Sequence, residues 1–329
     1  METPSSPVVA MGLDIAKDKI DCALLLNGKF KTRVIANTPK GFASLVEWLN
    51  KYSVTHVHAC CEATGTYWEA VAEWLVDHGH GISVINPAQI HAYARCKLQR
   101  GKTDAQDARL IAEFCQQERP ALWQAPPPAE RKLLALVRDL QVLQDMHQAE
   151  SNRLAVAHDS VQPRIQRHLD WLKQEIERLQ KDIDQHIDQN PDLKKRRALV
   201  DSIPGVGERT GPWLLAFLGD GQRFRSGKQA AAYTGLSPRL WQSGSSVHGK
   251  TRISKVGHSD LRRALYMPGV VCYSRVAAYK PFVQRLRAAG KAPKAIIVAL
   301  MRKLVTIAQA VLRADMPFDA ESYKKLCTG

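Results

Sequence analysis

The chain has 329 residues, of which 47 are Lys or Arg and 32 are Asp or Glu, giving a formal charge of +15 with 45% hydrophobic residues. This composition excludes a disordered or fibrous chain, and the length suggests two domains, or two and a linker. The charge is unevenly placed: residues 1–193 hold 22 basic and 25 acidic side chains, whereas residues 194–329 hold 25 and 7. So many like charges in one region point to a polyanionic partner, because a dense row of phosphates offsets their repulsion. No run of about 18 apolar residues is legible as a bilayer span, and the N-terminus lacks the basic start and long apolar core of a signal peptide. A cytoplasmic protein without membrane contact is expected. The seven cysteines are odd in number and contain no C-x-x-C pair, which reads as reduced thiols, neither a disulfide framework nor a zinc site.

Residues 8–16 predict a strand ending in polar turn residues, residues 20–26 a second strand close enough to form a hairpin, and residues 31–36 a third. Thr38-Pro39 opens a helix whose apolar face is Phe42, Leu45, Val46 and Leu49. Residues 56–61 predict a buried strand interrupted by Glu62, then Thr64-Gly65 and a helix through Trp68, Val71, Ala72 and Leu75. A short strand at 82–85 is closed by Asn86-Pro87, and a last helix begins near Asp104. Three strands in a meander followed by alternating strand and helix is the order of an α/β RNase H-like sheet.

Pro126-Pro127-Pro128 punctuates the chain. Beyond it, Leu133, Leu136, Leu140 and Leu143, then Leu172, Ile176, Leu179 and Ile183, have the spacing of two short coiled-coil seams. These seams are too short to hold a dimer unaided. Asn190-Pro191 ends the second helix, and Lys194-Lys195-Arg196-Arg197 opens a mostly helical region with a Gly/Ser loop at its centre and a long apolar-faced helix over 292–312. The expected division is 1–125 as the sheet domain, 126–193 as a helical coiled-coil linker or oligomerisation region, and 194–329 as a basic, mostly α-helical domain.

Four carboxylates stand out in the first domain. Asp14 and Glu62 interrupt apolar strands near their ends, and Asp104 and Asp107 share one face at a helix start. Acids converging at strand ends repel one another unless a cation lies between them. Mg²⁺, held by carboxylates and phosphate oxygens, answers that cost, and two ions about 4 Å apart clamp the attacking and leaving oxygens of phosphoryl transfer. Each acid also has a plain reading: a helix cap with a dipole-favoured acid at 104 and 107, a loop residue at 62, a turn residue at 14. The meander order favours the joint one, because it makes the first and fourth strands neighbours.

Gly12-Leu13-Asp14-Ile15-Ala16-Lys17, Glu62-Ala63-Thr64-Gly65-Thr66-Tyr67, Asn86-Pro87 and Lys102-Thr103-Asp104-Ala105-Gln106-Asp107-Ala108 resemble the successive motifs of the DEDD transposases of insertion sequences, a family that includes the Piv-type DNA invertases. Ile203-Pro204-Gly205-Val206-Gly207, Ala232-Tyr233-Thr234-Gly235-Leu236-Ser237-Pro238, Ser243-Gly244-Ser245-Ser246 and Lys255-Val256-Gly257-His258 extend the likeness along nearly the whole chain. The resemblance implies a RuvC-like first domain whose Asp14, Glu62, Asp104 and Asp107 bind Mg²⁺, with Mn²⁺ as a substitute, and a C-terminal transposase domain. It also implies recombination of donor and target double-stranded DNA guided by a structured non-coding bridge RNA, with Ser243 as nucleophile.

Among Ser243, Ser245 and Ser246 the residues alone name no nucleophile, and such a loop is also an ordinary linker. Arg239, His248, Lys250 and Arg252 surround it and suit a phosphate. A serine that attacks a phosphodiester conserves the bond energy as a phosphoserine link. Residues 203–207 read as a helix-hairpin-helix turn whose Gly205 and Gly207 let backbone N–H groups approach DNA phosphate, or as a tight turn with no ligand. Arg223, Arg225, Lys228, Arg239, Arg252, Lys255, Arg262 and Arg263 are expected on backbone phosphates. His56 and His58 alternate along a strand and read as structural, while Phe224, Tyr233, Trp241 and Tyr273 suit either base stacking or core packing. Recombination cuts four strands, so a homodimer assembling to a tetramer is expected, with one subunit's serine serving another's metal site. The alternatives are a RuvC-like junction nuclease that uses water and a protein-only DNA invertase.

Overall fold

In a computed structural model, residues 8–98, 101, 103–239, 242–243, 247–248 and 252–319 are described. The chain divides into two compact units, residues 1–125 and 126–329.

The first unit is a five-stranded mixed sheet in the order β3-β2-β1-β4-β5, built from β1 (Val9–Ile15), β2 (Lys19–Leu26), β3 (Lys29–Ala36), β4 (Val57–Glu62) and β5 (Gly81–Ile85). The first three strands pair antiparallel, and β4 and β5 join parallel to β1. This is the RNase H-like arrangement expected from the meander, and it makes β1 and β4 neighbours. Met11, Leu13, Cys22, Leu24, Val57, Ala59 and Cys61 fill one face of the sheet together with α1 (Pro39–Asn50) and α2 (Glu69–Asp77). Thr38 caps α1 by accepting from the Gly41 N–H, and Pro39 starts it with a φ already suited to a helix.

Asn86-Pro87 does more than close a strand. The Asn86 side chain accepts from Ala88 N at 2.9 Å and Pro87 begins α3 (Pro87–Cys96), a helix the apolar pattern does not announce because Ile90 is its one buried residue. On the second face of the sheet lies α4 (Asp104–Glu118), capped by Thr103. Gly12 is the contact point: a Cβ there would lie 2.0 Å from Ala108 O and 2.4 Å from Ala112 N. Only glycine lets the α4 backbone press against β1 at this position, and Ala23, Ala108 and Ala112 keep the surrounding seam thin.

The second unit shares one hydrophobic core. Its helices α5 (Pro128–Leu154) and α6 (Gln162–Asp188) pack antiparallel, as the bond from His186 Nε2 at the end of α6 to Ala129 O at the start of α5 (2.8 Å) requires. Leu133, Leu140, Leu179 and Ile183 therefore face this chain's own core. The leucine spacing that reads as a coiled-coil seam is filled within one chain. Residues 126–193 pack into the same core as α7 (Pro191–Asp201), α8 (Gly211–Leu218) and the helices that follow. Glu130 is buried beside α8 and paired with Arg196 at 2.6 Å and Arg223 at 3.7 Å, which offsets the cost of burying its charge.

After α9 (Gly227–Tyr233), the described residues flanking and within the expected Gly/Ser loop pair as a short ribbon. Strands β6 (Pro238–Arg239) and β9 (Arg252–Ile253) pair antiparallel, as do β7 (Gln242–Ser243) and β8 (Val247–His248). The chain then runs through α10 (Ser259–Ala264), α11 (Tyr266–Ser274), α12 (Lys280–Ala288) and α13 (Pro293–Ala314). Contrary to the expectation that no segment qualifies, α13 is long and apolar enough to cross a bilayer, with mean hydropathy 1.9 over its most apolar window. Its apolar residues are nevertheless core residues: Ile296, Leu300, Leu304, Val305 and Ala308 are fully buried.

Candidate active site

The close approach at Gly12 positions the acids. Gly12 and Asp14 lie two apart on β1 and so point to the same face, where α4 packs. The β1–β4 register sets Gly12 beside Cys60, which puts Glu62 on that face as well, and the β1–β2 register sets Asp14 directly opposite Asp21. Asp104 is one helical turn before Ala108, the residue under which Gly12 fits, and Asp107 follows in the same turn. Asp14, Glu62, Asp104 and Asp107, the four carboxylates expected from the sequence, accordingly line one pocket of about 430 Å³.

Crowding shows in the electrostatics. Burial pushes the Asp14 carboxyl up from 3.8 to about 6, and the neighbouring charges of Asp104, Asp107, Glu62 and Asp21 push in the same direction. Carboxylates held together against their own repulsion suit a hard divalent cation, whose oxygen-only ligand set they match. Thr64 Oγ1 donates to Glu62 Oε2 at 3.4 Å, which steadies that carboxylate at the strand end.

Sequence reasoning missed two charged or titratable lining residues, Asp21 and His91, and a lysine paired with the acids. Asp21 is a fifth acid whose side chain is 10% exposed, His91 enters from α3, and Lys19 reaches over the pocket to Asp104 Oδ2 at 2.7 Å and Asp21 Oδ2 at 3.0 Å. Asp21 lies on a strand otherwise buried through Leu25, and a charge inside such a strand is the signal that could have found it. His58, expected to be structural, has its Nε2 2.7 Å from Ser83 Oγ. Its ring, with the buried thiols of Cys60 and Cys115, forms a group of ligand-type atoms within 4.8 Å of one another. Ser83 donates its single proton to the Pro120 and Ala121 carbonyls at 3.0 and 2.9 Å, so His58 Nε2 carries the proton. Cys115 Sγ donates to His58 O at 3.2 Å, so the group also joins β4 to α4.

In the second unit the proposed nucleic-acid contacts divide. Gly205 has φ +89 and its Cβ position would meet Cys272 Sγ at 2.3 Å, so its glycine character serves inward packing, with Tyr279 Oη donating to Pro204 O at 3.0 Å. Gly207 has open space before its Cα and faces outward at the entrance to α8. Arg225, Lys228, Arg239, Arg252 and Lys255 are exposed. Arg223 donates to Phe217 O at 3.2 Å, Arg263 pairs with Asp145, and Arg262 donates to Thr234 O and Gly257 O at 3.0 and 2.9 Å. Arg262 thus ties the C-terminus of α9 to the segment between β9 and α10. Burial first, then Arg138, holds His258 down at about 4, and the neutral ring lies 4.4 Å from Tyr233 and 5.0 Å from Phe217. Phe224 is buried 5.1 Å from Tyr233, and Tyr273 packs against the same core. Phe224 is buried in that core, whereas Tyr233 and Tyr273 are half-buried against it. Ser243 pairs with Val247 across the ribbon; Trp241, Ser245, Ser246 and Lys250 lie outside the described residues.

Comparison with known proteins agrees with these motifs. A family model described as a transposase, of DEDD type, matches residues 11–163, and one described as the transposase IS116/IS110/IS902 family matches residues 197–284. The chain is 39% identical over 312 residues to the pilin gene-inverting protein of Moraxella bovis, covering 94% of this chain and 97% of that protein. The Moraxella lacunata pilin gene-inverting protein matches equally, and the transposase for insertion sequence element IS1328 of Yersinia enterocolitica is 28% identical over 278 residues, 72% of this chain and 79% of that one. The carboxylate pocket, the basic C-terminal unit and these matches together place the chain in the IS110 family of transposases, enzymes that recombine DNA.

Proposed function

We propose that this transposase cuts and rejoins donor and target strands through a phosphoserine link at Ser243, with Mg²⁺ held by Asp14, Glu62, Asp104 and Asp107 and with a structured bridge RNA selecting both DNAs. The convergence of those four carboxylates on one pocket carries the reading. When bound, Mg²⁺, or Mn²⁺ in its place, supplies Lewis-acid stabilisation of charge developing on the phosphate oxygens. The Ser243 Oγ attacks phosphorus, its proton leaves to solvent, and the departing sugar oxygen takes up a proton. A hydroxyl from the partner strand then reverses the step, so one phosphodiester is lost and one gained. The exposed cations Arg225, Lys228, Arg239, Arg252 and Lys255, with Lys250, hold DNA or RNA phosphates near the ribbon. Cutting four strands calls for four serines, hence a tetramer of two homodimers on DNA.

The test is trapping. Wild-type protein with Mg²⁺, its RNA and cognate DNA gives a denaturant-resistant protein–DNA adduct that Ser243→Ala and Asp14→Asn abolish. An adduct that survives Ser243→Ala refutes the serine, and free phosphate ends without adduct establish hydrolysis by water. The 39% identity to pilin gene-inverting proteins favours inversion of a DNA segment as the second reading. Purification from the native host with no discrete RNA attached, together with inversion of a flanked segment, selects it.

A further inference from the structure

Among the described residues, five carboxylates gather at the pocket and the Lys19 ammonium pairs with two of them. Asp21 is opposite Asp14 in the β1–β2 ladder, and Lys19, two residues earlier on β2, extends past it to Asp104 at the first turn of α4. The Lys19 ammonium donates to Asp104 Oδ2 at 2.7 Å while staying 3.0 Å from Asp21 Oδ2. It joins a carboxylate expected to ligate metal to one that the DEDD set leaves out. Asp21 is nearly buried and Asp104 is 55% exposed, so the inner end of the bridge is the firmer one. Lys17, in the turn between the same strands, is exposed and has no carboxylate partner among the described residues.

We propose that Lys19 is the resident counter-cation of the carboxylate pocket and that Asp21 is the residue that positions it, so that divalent metal enters in exchange for the Lys19–Asp104 contact. A cation at Asp104 lowers the cost of gathering the acids when no metal is bound. An incoming divalent ion must take Asp104 from it. The displaced ammonium remains tied to Asp21 at the pocket edge, half-exposed, where a phosphate oxygen of a nucleic-acid strand replaces Asp104 as its second partner. Lys19 thus opposes metal in the empty pocket and favours a phosphodiester in the loaded one. The proposal rests on the reading that the acids bind divalent metal.

Mn²⁺ alone, titrated into the full-length protein and followed by electron paramagnetic resonance of the free ion, tests it without substrate. Lys19→Met is expected to tighten Mn²⁺ binding about tenfold by removing a unit charge a few ångströms from the ion, while Lys19→Arg stays near wild type and Lys17→Met changes it by less than about twofold. Asp21→Asn is expected to weaken Mn²⁺ about tenfold when Lys19 is present, because the ammonium then has Asp104 alone, and by only about twofold in the Lys19→Met background. That inequality separates a positioning role from simple loss of charge, for which Asp21→Asn would act equally in both backgrounds. Equal effects, or Lys19→Met indistinguishable from Lys17→Met, overturn the proposal while leaving the metal site intact. A wild-type protein that binds no Mn²⁺ overturns the metal reading and the proposal with it. Far-ultraviolet circular dichroism of each variant confirms folding.

Discussion

Asparagine in place of Asp14 removes charge from the most crowded point of the acidic pocket at almost constant volume. The folded carboxyl titrates at about 6 against an ordinary 3.8. A displacement of roughly two pH units corresponds to about 3 kcal/mol at full strength, and solvent screening of a half-buried group reduces this to about 2 kcal/mol. Because the folded carboxyl holds its proton more tightly than the unfolded one, the penalty is absent below about pH 4, grows between about pH 4 and 6, and is fully present above. In EDTA at about pH 7, Asp14→Asn is therefore expected to be more stable than wild type by about 2 kcal/mol, with the gap closing toward about pH 4. Added Mg²⁺ stabilises wild type by mass action and leaves the variant nearly unmoved. Urea unfolding followed by the tryptophans of the first core, Trp48, Trp68 and Trp74, reads both effects. A variant no more stable than wild type at about pH 7 without metal refutes the electrostatic account.

Further expectations concern packing and charge. Gly12→Ala puts a methyl 2.0 Å from Ala108 O, which parts β1 from α4; about 3 kcal/mol of stability is lost, and strand cleavage falls with it as Asp14 separates from Asp104 and Asp107, measured by urea unfolding and adduct yield. Arg262→Ala strands the Thr234 and Gly257 carbonyls, costing about 2 kcal/mol. Hydrogen exchange at the His258 amide, which donates to Tyr233 O at 3.1 Å, should accelerate, and adduct yield should drop more than DNA affinity. The pair Arg225→Ala and Lys228→Ala should weaken DNA binding alike for all sequences and reduce the slope of log affinity against log salt by about 2. An unchanged slope would place these side chains away from phosphate.

Much of the carboxylate site was legible because its acids violate local pattern. Asp14 and Glu62 end apolar strands, and Asp104 and Asp107 head an apolar helix, so each is visible within a few residues of chain. Asp21 breaks a buried strand too but joins the site only through the Asp14–Asp21 pairing across a hairpin, and Lys19 was not legible, since its role depends on an 85-residue reach to Asp104. The α3 helix escaped notice because its start signals, Asn86 and Pro87, are also strand-ending residues and its buried face is a single isoleucine. Tyr233 and Phe224 carry no pattern that separates a base-stacking ring from a core ring; only their mutual contact and the burial of Phe224 do so.

The sequence by itself determined the order of the five sheet strands, the four acids, the asymmetry of charge and the family, all of which are written in local spacing and residue type. Tertiary structure decided which faces meet. A heptad pattern on α5 and α6 demands an apolar partner without naming it, and the antiparallel hairpin shows this chain supplying its own. Likewise Gly12 is one glycine among 20 until α4 is seen pressing on it. That contact lets four acids and their lysine share one pocket, because electrostatic coupling depends on distances in space that spacing along the chain leaves open.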